Sequence, residues 1–416
     1  MSPGAAPPVE DRVLLIAGTS TFDNVGDIAM CQVALGRLRR ARPGVRPVLL
    51  AVEGATEGHG LGEVTTVALD GWTSWCRRVH EWRRGTARLP GVADVAYRRP
   101  RLALALLRLR GRRVNADVHH FVDLVRGAAL VVVCGQGGLH DGSARRAERI
   151  ADVLRLAAAA GVPSVLLGQG VGPLDAEGLA AELGDALAAV SALGLRDERS
   201  GDVVERIGVR GPVVEVTGDD ALALVAERPP PLSRSRIGVS IRVNDASEVE
   251  ASVATEVGVA LAGALPDVPV QLLSFMEQPP IVSDARAGAR VAAEVTSVEG
   301  PNALRVADAI EALDRCRLVV TGTYHAAVFA LGMGIPVIGL ARSPYYHQKL
   351  EGVLGLFGAG AGCVLDPTAA TFATELEATV ARLWEDAPAR GADLRARART
   401  QVDAGARFAR TALAPS

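Results

Sequence analysis

The sequence predicts an α/β protein made of two α/β/α units that face each other across a cleft. Three observations carry this expectation. Apolar runs rich in Val, Leu and Ile recur along the chain, and such runs suit strands buried on both faces of a parallel sheet. Helix-like segments alternate with them from start to finish. A proline-rich stretch, Glu227-Arg-Pro-Pro-Pro-Leu-Ser-Arg-Ser-Arg236, divides the series and reads as a linker.

The elements follow in order. Val13–Thr19 reads as a buried strand, followed by a loop and a helix from about Asp27 to Arg40. Pro47–Val52 and Ala129–Cys134 are strands, and a helix runs from about Ala144 to Ala160. Val165–Gly168, Ala192–Arg196 and Val213–Thr217 continue the alternation. After the linker, Ile237–Arg242 opens a second series, continued by strands at Val270–Phe275, Leu318–Thr321 and Val337–Leu340. The expected units are 1–228 and 236–366. Residues 367–416 are helical by pattern and are expected to cross back to the first unit. Ligands of such folds bind at the carboxyl ends of the strands.

Size and composition agree. A chain of 416 residues exceeds one ordinary core, so two domains are the default. Aromatic residues make up 4%, so the core must be layered from small aliphatic side chains. The net charge of -2 gives no global bias towards nucleic acid. Five scattered cysteines without a Cys-x-x-Cys pair suit a reducing cytoplasm and give no zinc or disulfide framework. No metal or cofactor is expected. The lead Met1-Ser-Pro-Gly-Ala-Ala-Pro-Pro lacks the features of a signal peptide, and no apolar run is long enough to span a membrane. A cytoplasmic location is the expectation.

An apparent insertion, about 72–114, stands out. Twelve arginines lie between Arg77 and Arg113 against Glu81 and Asp94, with Trp72, Trp75 and Trp82 nearby. Arg101–Arg110 has the pattern of an amphipathic helix. It is either an interfacial patch for anionic lipid or a solvated arginine-rich face.

The chemistry-bearing segments sit at strand ends. Gly18-Thr-Ser-Thr-Phe-Asp-Asn24-Val-Gly26-Asp27 follows the first strand and lacks the dinucleotide G-x-G-x-x-G spacing. Asp27 either caps the helix or takes a proton from a sugar hydroxyl, and Asn24 is placed to hydrogen-bond one. Gly135-Gln-Gly137-Gly138-Leu-His140-Asp141 and Gly168-Gln-Gly170-Val-Gly172-Pro173 read as turns where backbone either approaches a ligand or simply bends. Arg196 ends a strand ahead of a helix capped by Asp197 or Ser200, a position suited to carboxylate or phosphate. Asp219-Asp220 hints weakly at metal, and a structural role is the better reading. Cys316–Leu340 reads as strand, turn, helix, Gly334-Ile-Pro336 break and strand, with His325 at the helix start. A histidine there can contact an anion and move a proton near neutral pH. Lys349 follows the next strand and is placed to neutralise a phosphate in the same cleft.

Taken in order, these segments resemble the polysaccharide pyruvyl transferase family. The matching pieces are Asn24-Val-Gly-Asp27, Gly135-Gln-Gly-Gly with Asp141, Gly168-Gln-Gly-Val-Gly-Pro173, Arg196-Asp-Glu-Arg-Ser200, Asp219-Asp-Ala221, the His325 helix with Gly334-Ile-Pro336, and Lys349. The resemblance implies Rossmann-like domains facing each other as in GT-B glycosyltransferases. It also implies transfer of a pyruvyl group from phosphoenolpyruvate to sugar hydroxyls, often closing a ketal. His325 then looks catalytic, with Arg196 and Lys349 at the donor. The commoner family form carries Arg-Leu-His, and Thr323 stands in the arginine's place here. Asn24, Gly137, Gly138, Gly170, Arg196, Thr323 and Lys349 form the expected substrate-binding set, with His325 and Asp27 catalytic. The alternatives are a nucleotide-sugar glycosyltransferase on the same fold and a non-catalytic binder of anionic sugars. Against the first, Phe329 stands where many such enzymes hold ribose with a glutamate.

Overall fold

The computed structural model describes residues 11–86, 91–242, 251–278 and 282–415. The lead Met1-Ser-Pro-Gly-Ala-Ala-Pro-Pro and Arg88 lie outside the described residues. Strands of the first half are β1 Arg12–Ile16, β2 Arg46–Leu50, β3 Thr65–Val67, β4 Leu130–Val133, β5 Gln136–Leu139, β6 Ser164–Val171, β7 Ala192–Leu195 and β8 Val213–Val216. Its helices are α1 Val25–Ala41, α2 Asp70–Thr86, α3 Val95–Arg98, α4 Pro100–Leu109, α5 Ala116–Arg126, α6 Ala144–Ala159, α7 Glu177–Ala188 and α8 Glu198–Arg206. The second half holds β9 Arg236–Ser240, β10 Val270–Leu272, a short hairpin of β11 Glu277–Gln278 and β12 Val282–Ser283, then β13 Val298–Glu299, β14 Cys316–Thr321, β15 Val337–Leu340 and β16 Gly362–Leu365. Its helices are α9 Ala251–Ala264, α10 Asp284–Ala292, α11 Val306–Asp314, α12 Tyr324–Gly332, α13 Pro344–Phe357 and α14 Phe372–Ala412.

Among the described residues, the first sheet has the order β3-β2-β1-β4-β6-β7-β8 and the second the order β13-β10-β9-β14-β15-β16. Every pairing in both sheets is parallel. Each sheet reverses its strand order once, between β1 and β4 and between β9 and β14. In doubly wound sheets the ligand crevice opens at that reversal. The architecture is two Rossmann-like units in a GT-B-like arrangement.

Sequence explains the layers. Along β1, Leu14 and Ile16 face one side, and Val13 and Leu15 the other, following the two-residue period of a strand. The first side packs against Trp72, Trp75 and Trp82 of α2 and the inner residues of α3 to α7. Together with α6 and α7, the arginine-rich stretch supplies the helical layer that covers one face of the first sheet. The second side joins α1, Phe275, Leu222 and the wholly buried α12 in one core that runs through both halves. A continuous apolar seam of this kind resists free hinge motion. The end of α14 closes over the first sheet, where Phe408 lies against Gly194 and Arg42 Nε donates to the Leu413 carbonyl at 2.7 Å.

Two glycine-rich segments differ from the sequence expectation. Gly168, Gln169 and Gly170 continue β6 instead of forming a turn after it. Gln169 makes this possible: its buried amide donates to the carbonyls of Cys134 and Leu167 at 2.8 and 2.7 Å, satisfying backbone left over by an irregular register. Gln136–Leu139 likewise forms a strand, β5, paired with β6.

Candidate active site

The strand reversals of the two sheets face each other, and the helix starts α1 and α12 meet there. Asn24, in an extended conformation, caps α1 by accepting from the Gly26 amide at 3.0 Å. This capping bond engages the side-chain carbonyl oxygen of Asn24. The α1 start is also held by the other half, because the Val25 amide donates to the Phe275 carbonyl at 3.0 Å. Gly26 then brings α1 directly against His325. A β-carbon at Gly26 would stand 1.8 Å from His325 Nδ1. Gly18 similarly leaves room for the Asp27 carboxylate, 2.2 Å from where its own β-carbon would be.

His325 occupies the first turn of α12 and is buried. Its Nε2 lies 3.8 Å from Asp219 Oδ2, and neither atom has a hydrogen-bond partner among the described residues. Burial, together with the nearby charges of Lys349, Arg196 and Arg242, holds the imidazole pKa well below the usual range. His325 is therefore neutral at pH 7. Asp219 is pushed up to about 6 by burial, against the opposing pull of Arg196. Asp27 is also raised to about 6 by burial, with Arg146, Lys349 and Arg242 pulling the other way. Two carboxyl groups thus titrate close to neutrality beside a neutral imidazole, the setting general acid–base chemistry needs.

Arg196 and Lys349 converge on one ring. The Arg196 Cζ sits 4.3 Å from the Tyr324 centroid and the Lys349 Nζ 5.0 Å from it, with Tyr345 and Tyr346 at 5.4 and 5.5 Å from the same nitrogen. Burial pulls the Arg196 pKa down, but Tyr324, Asp197, Tyr345 and Asp219 outweigh it and the net shift is upward. Lys349 is half-buried, and desolvation brings it down to about 8. A small cavity of about 40 Å³ lies against Arg196, Tyr345 and Lys349. It is one water or so in size and marks the cationic end of the site. A larger cavity, about 560 Å³, opens at the amino ends of β4, β6, β7 and β8, away from this chemistry.

The expected glycines are explained by the arginines. A β-carbon at Gly170 would come within 2.3 Å of Arg196 Cζ, and one at Gly137 within 3.0 Å of Arg196 Nη1. Gly138 borders the Arg146 side chain at 3.0 Å. These residues make space for guanidinium groups. Gly137 also offers its carbonyl to the Tyr345 hydroxyl at 3.2 Å, a bond between the halves. Asp197 caps α8 through the Ser200 amide at 2.8 Å. The Thr323 hydroxyl is buried and bonded to the Ser240 hydroxyl at 3.0 Å. That bond braces the ends of β9 and β14.

Sequence reasoning missed several neighbours. Asp219 faces His325, while Asp220 forms a buried ion pair with Arg37. His140 stacks on Tyr345 at 4.2 Å, and burial with Lys349 and Arg196 lowers it to about 4. Arg146 reaches Gln136 Oε1 at 2.7 Å and bonds the Ala17 carbonyl. Arg242 stands two residues past the end of β9, the first strand of the second sheet. Its strand-end position was the available signal, the same one that singled out Arg196.

Comparison with known proteins fits this geometry. The chain is structurally similar to S. aureus MnaA solved with UDP (12% identity, 95% of this chain and 93% of that one, TM-score 0.56). It is also similar to UDP-GlcNAc 2-epimerase from Neisseria meningitidis bound to UDP-GlcNAc (11%, 94% and 99%, TM-score 0.55). A third is UDP-GlcNAc 2-epimerase from Methanocaldococcus jannaschii (11%, 89% and 91%, TM-score 0.52). At these identities the likeness shows the two-domain fold alone. Among curated proteins no sequence matches the chain. The family model for polysaccharide pyruvyl transferase matches residues 24–344, from the Asn24 cap to the start of α13, and the chain belongs to that transferase family.

Proposed function

We propose that the protein transfers a pyruvyl group from phosphoenolpyruvate to sugar hydroxyls of a glycan or glycoconjugate and closes a ketal. The observation that carries this reading is the pairing of two cations on the Tyr324 ring with the adjacent, unpartnered His325 nitrogen. Phosphoenolpyruvate has a carboxylate and a phosphate, and Arg196 and Lys349 supply charge for such a molecule. Protonation of its methylene carbon leaves a cationic central carbon. A sugar hydroxyl adds there and loses its proton. Phosphate departs with the C–O electron pair, and a second hydroxyl of the same sugar adds and passes its proton to the released phosphate, which completes the ketal. His325 carries the proton to the methylene, Asp219 steadies the resulting charge, and Asp27 receives the hydroxyl proton. In this reading the half before the linker holds the acceptor and the half after it the donor, with Arg196 reaching the donor from the first sheet.

Phosphate release from phosphoenolpyruvate, measured over a panel of glycosides and lipid-linked sugars with mass spectrometry of the products, tests the assignment. The expected product gains a pyruvyl ketal. His325→Gln loses about 10²–10⁴-fold in rate while remaining folded. Calorimetry that finds tight nucleotide-sugar binding and none for phosphoenolpyruvate would overturn it. Phe329 already weighs against a nucleotide-sugar donor, because it is fully buried against Phe275.

The acceptor in this proposal is lipid-linked, and the protein works in the cytoplasm at the membrane's inner face. On α4, Leu102, Leu106 and Leu109 are exposed by 46%, 36% and 83% and share one helical face. Exposed Arg98, Arg99, Arg101, Arg108, Arg110, Arg112 and Arg113 lie within and on either side of this helix in the sequence. An apolar stripe accompanied by this much positive charge complements an anionic bilayer surface.

A further inference from the structure

We infer that Arg242 is a donor-binding residue, set in place by Asp284, that meets the anionic end of the donor not held by Arg196 and Lys349. This inference rests on the donor reading above and assigns a second guanidinium to the same pocket.

Strands β9 and β14 are the central pair of the second sheet, with Ser240 opposite Thr321. Both end at the strand reversal, where a doubly wound sheet presents its ligand. Continuing past that register, Arg242 lies beside Gly322 and Thr323. The Arg242 backbone nitrogen is 4.0 Å from the position of a Gly322 β-carbon. His325 follows two residues later. Arg242 thus stands at the mouth of the strand beside the histidine helix, whereas Arg196 enters from the first sheet.

Arg242 is only 9% exposed, and a buried guanidinium at a strand end needs a built environment. Asp284 supplies one. Arg242 Nε donates to Asp284 Oδ1 at 3.4 Å, which fixes the plane of the guanidinium fork. Asp284 is itself held, because its Oδ2 accepts from the amides of Phe275 and Met276 at 2.8 and 3.0 Å. That same turn grips the start of α1, through the Val25 amide on the Phe275 carbonyl and a backbone bridge between Asn24 and Met276. Asp284 therefore orients Arg242 and references it to the helix that carries Asp27. The charge of Arg242 is felt at Asp27, His325 and Lys349, each of which it pulls towards lower pKa. One side chain acting on all three groups belongs among them.

The test uses the full chain, with phosphate release at saturating acceptor and calorimetric titration of phosphoenolpyruvate. Arg242→Gln should raise donor KM and Kd by about 10–150-fold, the range for a lost charge-assisted hydrogen bond. The acceptor KM should hold steady. Arg242→Lys should recover part of the loss, because it restores charge without the fork. Asp284→Asn should raise donor KM by roughly tenfold and leave kcat nearly unchanged, the split expected of a positioning residue. Arg242→Gln leaves Asp284 buried without its cation, so the double variant Arg242→Gln/Asp284→Asn provides a neutral pair that keeps the fold. Unchanged donor Kd in either folded variant would overturn the inference, as would a rise confined to acceptor KM. Wild-type protein that binds no phosphoenolpyruvate would instead end the donor reading itself.

Discussion

Replacing Gly26 by alanine is the sharpest probe of the two-sided site. The added methyl would stand 1.8 Å from His325 Nδ1 and 2.0 Å from its Cγ. Optimal carbon contacts lie near 3.5–4.0 Å, so the ring or the helix must retreat by close to 2 Å. Overpacking of this kind costs about 1–3 kcal/mol. For a unit of this size that lowers the melting temperature by roughly 2–12 °C. The effect on catalysis should be larger, because displacing a reacting group by about 1 Å can cost 10²-fold. The expected result is a fall in kcat of at least about 10²-fold with a modest loss of stability. Gly36→Ala on the same helix is the control. Its nearest neighbour would be Arg40 Nη1 at 3.6 Å, so it should keep full activity and gain about 0.4–1 kcal/mol. Phosphate release and thermal melts on both variants decide the matter. If Gly26→Ala kept kcat/KM within about threefold of wild type, packing of the imidazole against α1 could not belong to the working state.

Two further outcomes can be measured directly. Lys349 is protonated below about pH 8 and loses its charge as pH rises through that value, so kcat/KM should fall above pH 8. Lys349→Arg keeps its charge and should carry the plateau further into the alkaline range, and an unmoved alkaline limb would remove Lys349 from donor binding. On the acid side, Asp27 at about 6 overlaps the second ionisation of a phosphate ester near 6, so that limb is shared and less diagnostic. For the α4 surface, each arginine near an anionic bilayer contributes about 1 kcal/mol. Neutralising Arg108, Arg110, Arg112 and Arg113 should therefore weaken flotation with phosphatidylserine vesicles by about 10³-fold, whereas neutral phosphatidylcholine vesicles should bind poorly from the start. Flotation that ignores these substitutions would dismiss the membrane surface.

Much of the fold was legible because its signals are local. A buried run followed by a helix start at His325 specifies a strand end and a dipole without reference to the rest of the chain, and Arg196 and Lys349 follow the same rule. The meaning of the glycines was not legible. Gly26, Gly137 and Gly170 look like loop glycines in sequence, but their cause is a side chain more than twenty residues away that needs the space. Asp219 was hidden for the same reason, since its relation to His325 exists only once the two sheets face each other. Thr323 shows the converse. Its hydroxyl is tied to Ser240 by strand pairing that no local pattern encodes.

The resting protonation states suggest how the proposed reaction orders its steps. His325 is neutral because burial and three surrounding cations, Lys349, Arg196 and Arg242, disfavour its charged form. A general acid in that state has no proton to give. A donor carrying a carboxylate and a phosphate would reverse the balance, because its negative charge offsets those same cations and favours the imidazolium. Asp219, 3.8 Å from the ring, would then face a positive partner where it now faces a neutral one, and its own tendency to ionise would rise. The donor would thus generate the acid that attacks it. Without the donor the histidine stays uncharged, so the site does not hold a buried imidazolium beside three other cations. In the proposed reaction, a histidine pKa lowered by burial and by these cations is compatible with an acid role once an anionic donor is bound.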